Sequence, residues 1–382
     1  MKRPQRFAGA LFGICLLCNP AVMAQTDPSA AERWLKAAET APEFKVAESV
    51  RGWESQRKQV REQLWKLLGN LPPRPKVPAV RTIARDDRQS YVVEKFEFAN
   101  GAGSIVPGYL LLPKGVSAPA PAVLYCHWHG GQYDIGKEEL FRTNATPVPI
   151  GPELARRGYV VIAIDACCFG ERNGQGPGGP AEKGSAGEMT ASKFNLWAGR
   201  TLWGMILRDD LMALDYLCSR PEVDATRIGV TGISMGATRT WWLMALDDRL
   251  NAGVAVCCLT RYQNLIQAEG LKYHGIYYFV PGMLNHFDTE AVVALAAPRP
   301  LLFQSGETDA GSPVAGIRVI ESKVRKAYEL YGRSEDFESR IYPEVGHVYL
   351  PEMWQRTLAW LDNHLKMGAT RAPTQSKPKS SR

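Results

Sequence analysis

Arg227-Ile228-Gly229-Val230-Thr231-Gly232-Ile233-Ser234-Met235-Gly236 is the stretch on which the fold of this chain turns. Its first part is apolar and β-branched, as a buried strand requires. From Met235 onward Ala237, Thr238, Trp241, Leu243, Met244 and Leu246 follow helical spacing. The pattern predicts a strand that turns sharply into a helix around Ser234. Glycine at 232 and 236 fits such a turn, because a side chain at either position would collide with the neighbouring strand or helix. A serine placed there has its hydroxyl exposed on a strained backbone, which is how a nucleophilic serine is presented. The bare spacing G-x-S-x-G recurs by chance, so the strand before it and the helix after it carry the argument.

Outward from this turn, strand and helix signals alternate. Tyr91 to Phe98 and Val106 to Pro113 read as two strands that pair as a hairpin. Ala122 to His127 is a continuous apolar strand, and Tyr159 to Ile164 is another that ends in Asp165. After the Ser234 turn come strands over Gly253 to Leu259, Leu301 to Gln304 and Phe337 to Tyr342. Helices are expected over Pro152 to Arg157, Leu202 to Leu217, Ile317 to Leu330 and Pro351 to Leu365. Apolar strands separated by helices predict an α/β fold, with a mostly parallel central sheet covered on both faces. Ser29 to about Leu71 adds a helical extension with apolar positions Trp34, Leu35, Trp53, Val60, Leu64, Leu67 and Leu68. Gly69 and Leu71-Pro72-Pro73-Arg74-Pro75 end it. The expected organisation is a leader over 1–24, the helical extension over 25–85, the main domain over 86–368 and a basic tail over 369–382.

The leader reads as an export signal. Lys2, Arg3 and Arg6 precede the apolar run Phe7 to Cys18, and Val22-Met23-Ala24 supplies small residues before Gln25. The run is shorter than the roughly 20 residues of a membrane span. A periplasmic or secreted protein with no stable membrane anchor is therefore expected. The formal charge of +7 comes from the ends, three from the leader and four from Arg371, Lys377, Lys379 and Arg382. The neutral body between them argues against a nucleic-acid partner, which would need a basic stripe on its folded face. Six cysteines remain after the leader: Cys126, Cys167, Cys168, Cys218, Cys257 and Cys258. Their number permits disulfides, but most lie in apolar strand-like runs, where small buried hydrophobes are the plainer expectation.

A serine nucleophile needs a histidine base and a carboxylate to orient it. Of six histidines, His347 alone sits in a short loop between the last strand and the last helix. Asp309 follows the strand Leu301 to Gln304, with Glu307 as fallback. Asp288 is a weaker rival that reads as a helix cap before Thr289. The order Ser234, Asp309, His347 is that of nucleophile, acid and base. Donors for a developing oxyanion are expected at the Met235 N–H and along Trp128-His129-Gly130-Gly131. His127-x-His129 offers a metal pair as an alternative, but no third ligand lies nearby, so neither metal nor cofactor is expected. Arg172 is a candidate for holding a substrate's anionic or hydroxyl group, or else for pairing with Glu171 or another carboxylate. The insertion Arg261 to Glu290 would bring Tyr262, Tyr273, Tyr277, Tyr278, Phe279 and Phe287 over the site, to stack on a sugar or to close a lid.

These motifs, with Pro107 to Pro113, Phe169-Gly170-Glu171-Arg172, Arg220 to Gly229, Ala297-Pro298-Arg299-Pro300 and Gly346-His347, resemble the α/β-hydrolase superfamily. Within it they resemble secreted bacterial esterases of the dienelactone hydrolase and acetyl xylan esterase group. The resemblance spans about residues 88 to 366 and implies an α/β-hydrolase fold and a serine esterase acting on acyl esters of a carbohydrate or small molecule. Ser234 stands where dienelactone hydrolases proper carry cysteine, and Ala237 where relatives usually have a further glycine. Met235 stands where glucuronoyl esterases carry arginine. A prolyl-oligopeptidase-like peptidase, or a binding protein on the same fold, are the rival expectations.

Overall fold

The computed structural model describes residues 28–116 and 119–367. The expected leader over 1–24 and the expected basic tail over 369–382 lie outside the described residues. Helices α1 (Ala30–Ala37) and α2 (Val50–Leu68) precede strands β1 (Val80–Asp87), β2 (Tyr91–Ala99), β3 (Ile105–Pro113) and β4 (Ala120–Cys126). Then come α3 (Ile150–Arg156), β5 (Val160–Ile164), α4 (Gly184–Trp197), α5 (Leu202–Ser219), β6 (Val223–Ile233), α6 (Met235–Leu246) and β7 (Leu250–Val256). The chain closes with α7 (Tyr262–Gln267), α8 (Thr289–Ala294), β8 (Leu301–Gly306), α9 (Val314–Leu330), β9 (Phe337–Tyr342) and α10 (Pro351–Asp362).

The strands form one sheet in the order β1-β2-β3-β5-β4-β6-β7-β8-β9. β1 to β3 run antiparallel, β3 is antiparallel to β5, and every pairing from β5 to β9 is parallel. This is the α/β fold with a mostly parallel sheet that the apolar runs predict. Strand β4 is buried along its whole length. Ala122, Leu124 and Cys126 join the core on one face of the sheet, while Val123 and Tyr125 join the core on the other.

The helical extension and the outer edge of the sheet depart from the sequence expectation. The helical extension is not continuous: α1 ends at Ala37 and α2 starts at Val50, where Ser49 Oγ accepts the Gly52 N–H at 3.2 Å. Helix α2 docks by burying Trp53, Val60, Leu64 and Leu68, and its Arg57 and Arg61 reach Asp248 of the main domain at 2.6 and 2.8 Å. Strand β1 falls where no strand is expected, because Val-Arg-Thr-Ile-Ala-Arg-Asp-Asp lacks alternation and lies almost wholly exposed. It is held at the sheet edge by its ladder with β2 and by cross-strand charge pairs such as Arg81 with Glu97. All six cysteines among the described residues are free thiols.

In parallel register, Cys126 of β4 lies beside Gly232 of β6, and Gly306 of β8 beside Tyr342 of β9. The loops leaving β4, β6, β8 and β9 therefore emerge at one edge of the sheet, where open α/β sheets bind ligands.

Candidate active site

Ser234 is the single residue between β6 and α6, with φ 59° and ψ −118°. A non-glycine residue held in so sparsely populated a region costs about 1–3 kcal/mol. A Cβ on Gly232 would overlap the Cys126 carbonyl oxygen and the Gly236 backbone, and a Cβ on Gly236 would overlap the same carbonyl. The collisions expected from the sequence are thus the reason both positions are glycine.

Asp309 lies on the turn after β8 and His347 on the loop after β9. His347 Nδ1 lies 2.7 Å from Asp309 Oδ2, while Asp309 Oδ1 accepts the Gly311 N–H at 3.0 Å. The Asp309 side chain is 3 % exposed and that of His347 35 %, so the acid is sequestered and the ring keeps an open edge. The two loops are pressed together: Thr308 N–H donates to the Val345 carbonyl at 2.8 Å, and a Cβ on Gly306 would overlap the Val345 and Gly346 carbonyl oxygens. Glu307 turns away to accept the Glu344 N–H at 3.0 Å. Asp288 accepts the Thr289, Tyr262 and Gln263 N–H groups at 2.7, 2.9 and 3.0 Å, as a helix cap does. The Ser234 hydroxyl faces the same cavity as His347, without a direct hydrogen bond to it. The Cys258 thiol is its side-chain neighbour, with Sγ 3.9 Å from Oγ. Burial lifts that thiol's pKa to about 12, so it stays protonated.

The segment after β4 is anchored by groups from several elements. His127 is buried, its Nδ1–H donating to the Trp128 carbonyl at 2.8 Å and its Nε2 accepting the Ala166 N–H at 3.0 Å. Burial and the nearby Arg239 guanidinium hold it well below the usual histidine range, hence neutral. With both ring nitrogens engaged, His127 has no atom free for a cation, and the His127/His129 metal alternative fails. Cys257, Asp309 and His347 each offer a ligand-type atom within 4.8 Å of the others. That set is poor for a cation, since burial drives the Cys257 thiol well above its ordinary pKa and His347 Nδ1 is already held by Asp309. Trp128 N–H donates to Glu139 at 2.9 Å. Arg239 of α6 pairs with Asp210 of α5 and extends Nη1 to the His127 carbonyl at 3.4 Å. His129 Nδ1 accepts the Gly131 N–H at 3.0 Å, which removes that donor from any oxyanion site. Among the described residues the Gly130 and Met235 N–H groups keep no hydrogen-bond partner, and Ser234 provides no side-chain cap for the first turn of α6.

His129, Gly130, Gly131, Ser234, Asp309 and His347 line one cavity of about 550 Å³. Met235 is not among the lining residues; it is buried, and its N–H opens the first turn of α6 directly after Ser234. Arg172 is not brought there. It is 4 % exposed, bound to the Asp165 carbonyl at 3.0 Å and paired with Asp209 at 2.9 Å. Its role is the structural one, although the partner is Asp209; Glu171 pairs with Lys95 and Lys137. The insertion does wall the cavity, through Lys272, Tyr273, His274, Gly275 and Tyr277. Tyr277 stacks on His129 at 5.0 Å and Tyr278 on His274 at 4.3 Å, so these rings close the wall, while Tyr273 stays 54 % exposed. Sequence reasoning passed over His274 and Cys258. His274 lies in an irregular insertion, and neither it nor Cys258 carries a spacing that marks a site.

Fold and site define an α/β hydrolase. Residues 29–356 match the Abhydrolase family, and the chain belongs to that family. It is 38 % identical over 277 residues to the "Putative hydrolase YtaP" of Bacillus subtilis (strain 168), covering 72 % of this chain and 89 % of that protein. Among solved structures it is similar in fold to a Bacteroides fragilis protein described as a "putative acetyl xylan esterase", with TM-score 0.65 and 22 % identity over 88 % of this chain and 91 % of that one. It is also similar to a glucuronoyl esterase from Solibacter usitatus, with TM-score 0.64 and 16 % identity over 86 % and 98 % of the two chains. Among the described residues no helix is long and apolar enough to cross a membrane.

Proposed function

We propose that the protein is an exported serine ester hydrolase. The observation that carries this is one cavity lined by Ser234 on its strained turn and by His347 held at 2.7 Å to a sequestered Asp309. Asp309 fixes the proton on His347 Nδ1, leaving Nε2 as the base that accepts the Ser234 proton when the hydroxyl attacks the ester carbonyl. The contact between serine and histidine tightens when substrate fills the site. The Gly130 and Met235 N–H groups hold the oxyanion, a contribution of roughly 3 kcal/mol per donor. His347 then returns the proton to the leaving alcohol, and water releases the acyl-enzyme by the same route in reverse. An acyl ester of a carbohydrate is the substrate class, supported by the fold likeness to carbohydrate esterases and by the export-type leader.

The test is acetate release from an aryl acetate and from acetylated xylan, by the wild type and Ser234→Ala. Loss of both activities in the variant supports nucleophile and substrate together. Cleavage of the aryl ester alone leaves the mechanism and removes the carbohydrate. No cleavage of either moves a peptidase or a non-catalytic binding protein ahead.

A further inference from the structure

A second histidine–carboxylate pair borders the same cavity through its histidine, and the mechanism above does not use it. His129 Nδ1 accepts the Gly131 N–H at 3.0 Å, so the ring proton must reside on Nε2, which faces Glu188 Oε1 at 3.3 Å. The other oxygen of Glu188 accepts the Tyr133 hydroxyl at 3.1 Å. Glu188 is 3 % exposed and belongs to α4, 59 residues along the chain from His129. The imidazole is boxed in by Tyr277, stacked at 5.0 Å, and by Tyr133 and Phe169, edge-on at 4.9 and 5.0 Å.

We propose that Glu188 is a positioning residue: through His129 it fixes the Gly130–Gly131 turn so that the Gly130 N–H stays aimed at the oxyanion. This rests on the esterase function proposed above. Gly130 and Gly131 both have positive φ, 49° and 70°, in a turn with few steric constraints of its own. The Gln132 N–H donates to the His129 carbonyl at 2.9 Å across that turn, and the bond from Gly131 N–H to His129 Nδ1 braces it from inside, forming only while Nδ1 carries no proton. Glu188 secures this by engaging the proton on Nε2, much as Asp309 secures the opposite tautomer of His347. The two carboxylates thus impose opposite tautomers on two histidines of one cavity, one ring serving as base and the other as backbone clamp. The His129 ring has no free N–H to offer a substrate, which separates it from a catalytic acid.

The distinguishing substitutions are Glu188→Leu and Glu188→Gln. Leucine keeps the volume and removes both acceptors. Glutamine keeps an acceptor for His129 Nε2–H and can donate to the Tyr133 oxygen. Three quantities are measured on the full chain: kcat and KM for an aryl acetate, inhibition by an arylboronate (which forms a tetrahedral adduct on serine), and the thermal midpoint. Misplacing an oxyanion donor lowers kcat by about 10- to 100-fold. Glu188→Leu should show that loss with KM within about threefold, and its boronate affinity should fall by a similar factor, since the adduct uses the same donors. Glu188→Gln should restore both to within about threefold of wild type. Retained kcat in Glu188→Leu, or equal losses in the two variants, overturns the proposal. If the leucine variant does not fold, His129→Asn against His129→Ala decides. Asparagine can accept the N–H two residues on in an Asx turn, so it should hold kcat at least tenfold above alanine; equality overturns the proposal. Absence of Ser234-dependent turnover in the wild type overturns the esterase function and this inference with it, whereas wild-type turnover with unaffected variants overturns only the inference.

Discussion

Replacing Asp309 by asparagine tests the orientation of the base with little change in shape. The carboxylate serves two donors at once, His347 Nδ1–H at 2.7 Å and Gly311 N–H at 3.0 Å. An asparagine has only one oxygen. If that oxygen faces Gly311, the amide NH2 meets His347 Nδ1 and forces the ring proton onto Nε2, where it blocks acceptance of the Ser234 proton. If the amide flips, NH2 meets the Gly311 N–H, a donor against a donor in a site where the side chain is 3 % exposed. Leaving a buried donor unpaired costs about 1–3 kcal/mol, so the first arrangement wins and the base is in the wrong tautomer. The expected loss in kcat is about 10⁴-fold, which is about 5 kcal/mol of transition-state stabilisation at 1.36 kcal/mol per factor of ten. The assay is aryl acetate hydrolysis beside a thermal melt, which should show a folded protein. Glu307→Gln serves as control and should stay within about twofold, because its carboxylate binds the Glu344 N–H on the exposed rim. Activity of Asp309→Asn within tenfold of wild type would refute the assignment of His347 as base.

Three further outcomes are expected. Burial raises the Glu139 carboxyl from 4.5 to about 7. The folded protein therefore holds a proton there that the unfolded chain releases, and this group's effect on stability is most favourable below pH 4.5 and declines until about pH 7. That decline is worth up to about 3 kcal/mol, and urea unfolding at pH 5 and 8 should show it in the wild type and not in Glu139→Gln; equal slopes in both would contradict it. Arg239→Met strands the fully buried Asp210 carboxylate. It should cost about 3–5 kcal/mol by urea unfolding, with a change below about 1 kcal/mol counting against the pair. Tyr273→Ala removes the one largely exposed ring of the cavity wall. It should raise KM for acetylated xylan oligosaccharides about 2- to 10-fold while leaving aryl acetate turnover unchanged, and an equal effect on both substrates would exclude sugar stacking.

Much of this architecture was legible because buried parallel strands write themselves as apolar runs. Phe337–Tyr342 and the start of β8 at Leu301 coincide with the expected strands, and Ser234 stands at the turn where the G-x-S-x-G spacing puts it. Strand β1 was not legible, because an exposed edge strand needs no apolar face. Helix α4 was not legible either, because it begins at Gly184 inside the glycine-rich stretch Gly174 to Gly187, yet it carries Glu188 inward. Arg172 read either as a substrate contact, since a cation after a strand's carboxyl end suits one, or as the partner of Glu171 or another carboxylate. Only the fold reveals that Asp209 claims it.

What the sequence conceals here has a common form. The segments after β4 and β9 are set by carboxylates, at most 5 % exposed, that approach from other elements: Asp309 for His347, Glu188 for His129, Glu139 for the Trp128 backbone, and Asp210, through Arg239, for the His127 carbonyl. Strand order brings the loops to one edge of the sheet, but a loop alone fixes neither a ring tautomer nor the aim of an N–H group. Those are fixed by acceptors whose burial is costly unless every lone pair is used, which keeps them paired and the loops in place. Among 39 acidic residues nothing local marks Glu188, Glu139 or Asp210. Asp309 was found because it lies one short turn beyond an apolar strand, whereas Glu188, Glu139 and Asp210 meet their partners only through the packing of α4, of the turn after β4 and of α5. The same reasoning predicts how replacements at the four should differ. At Asp309 and Glu188 they should act chiefly on kcat, because each controls a proton or a donor facing the cavity. At Glu139 and Asp210 they should act chiefly on stability, because each supports backbone one step removed from it.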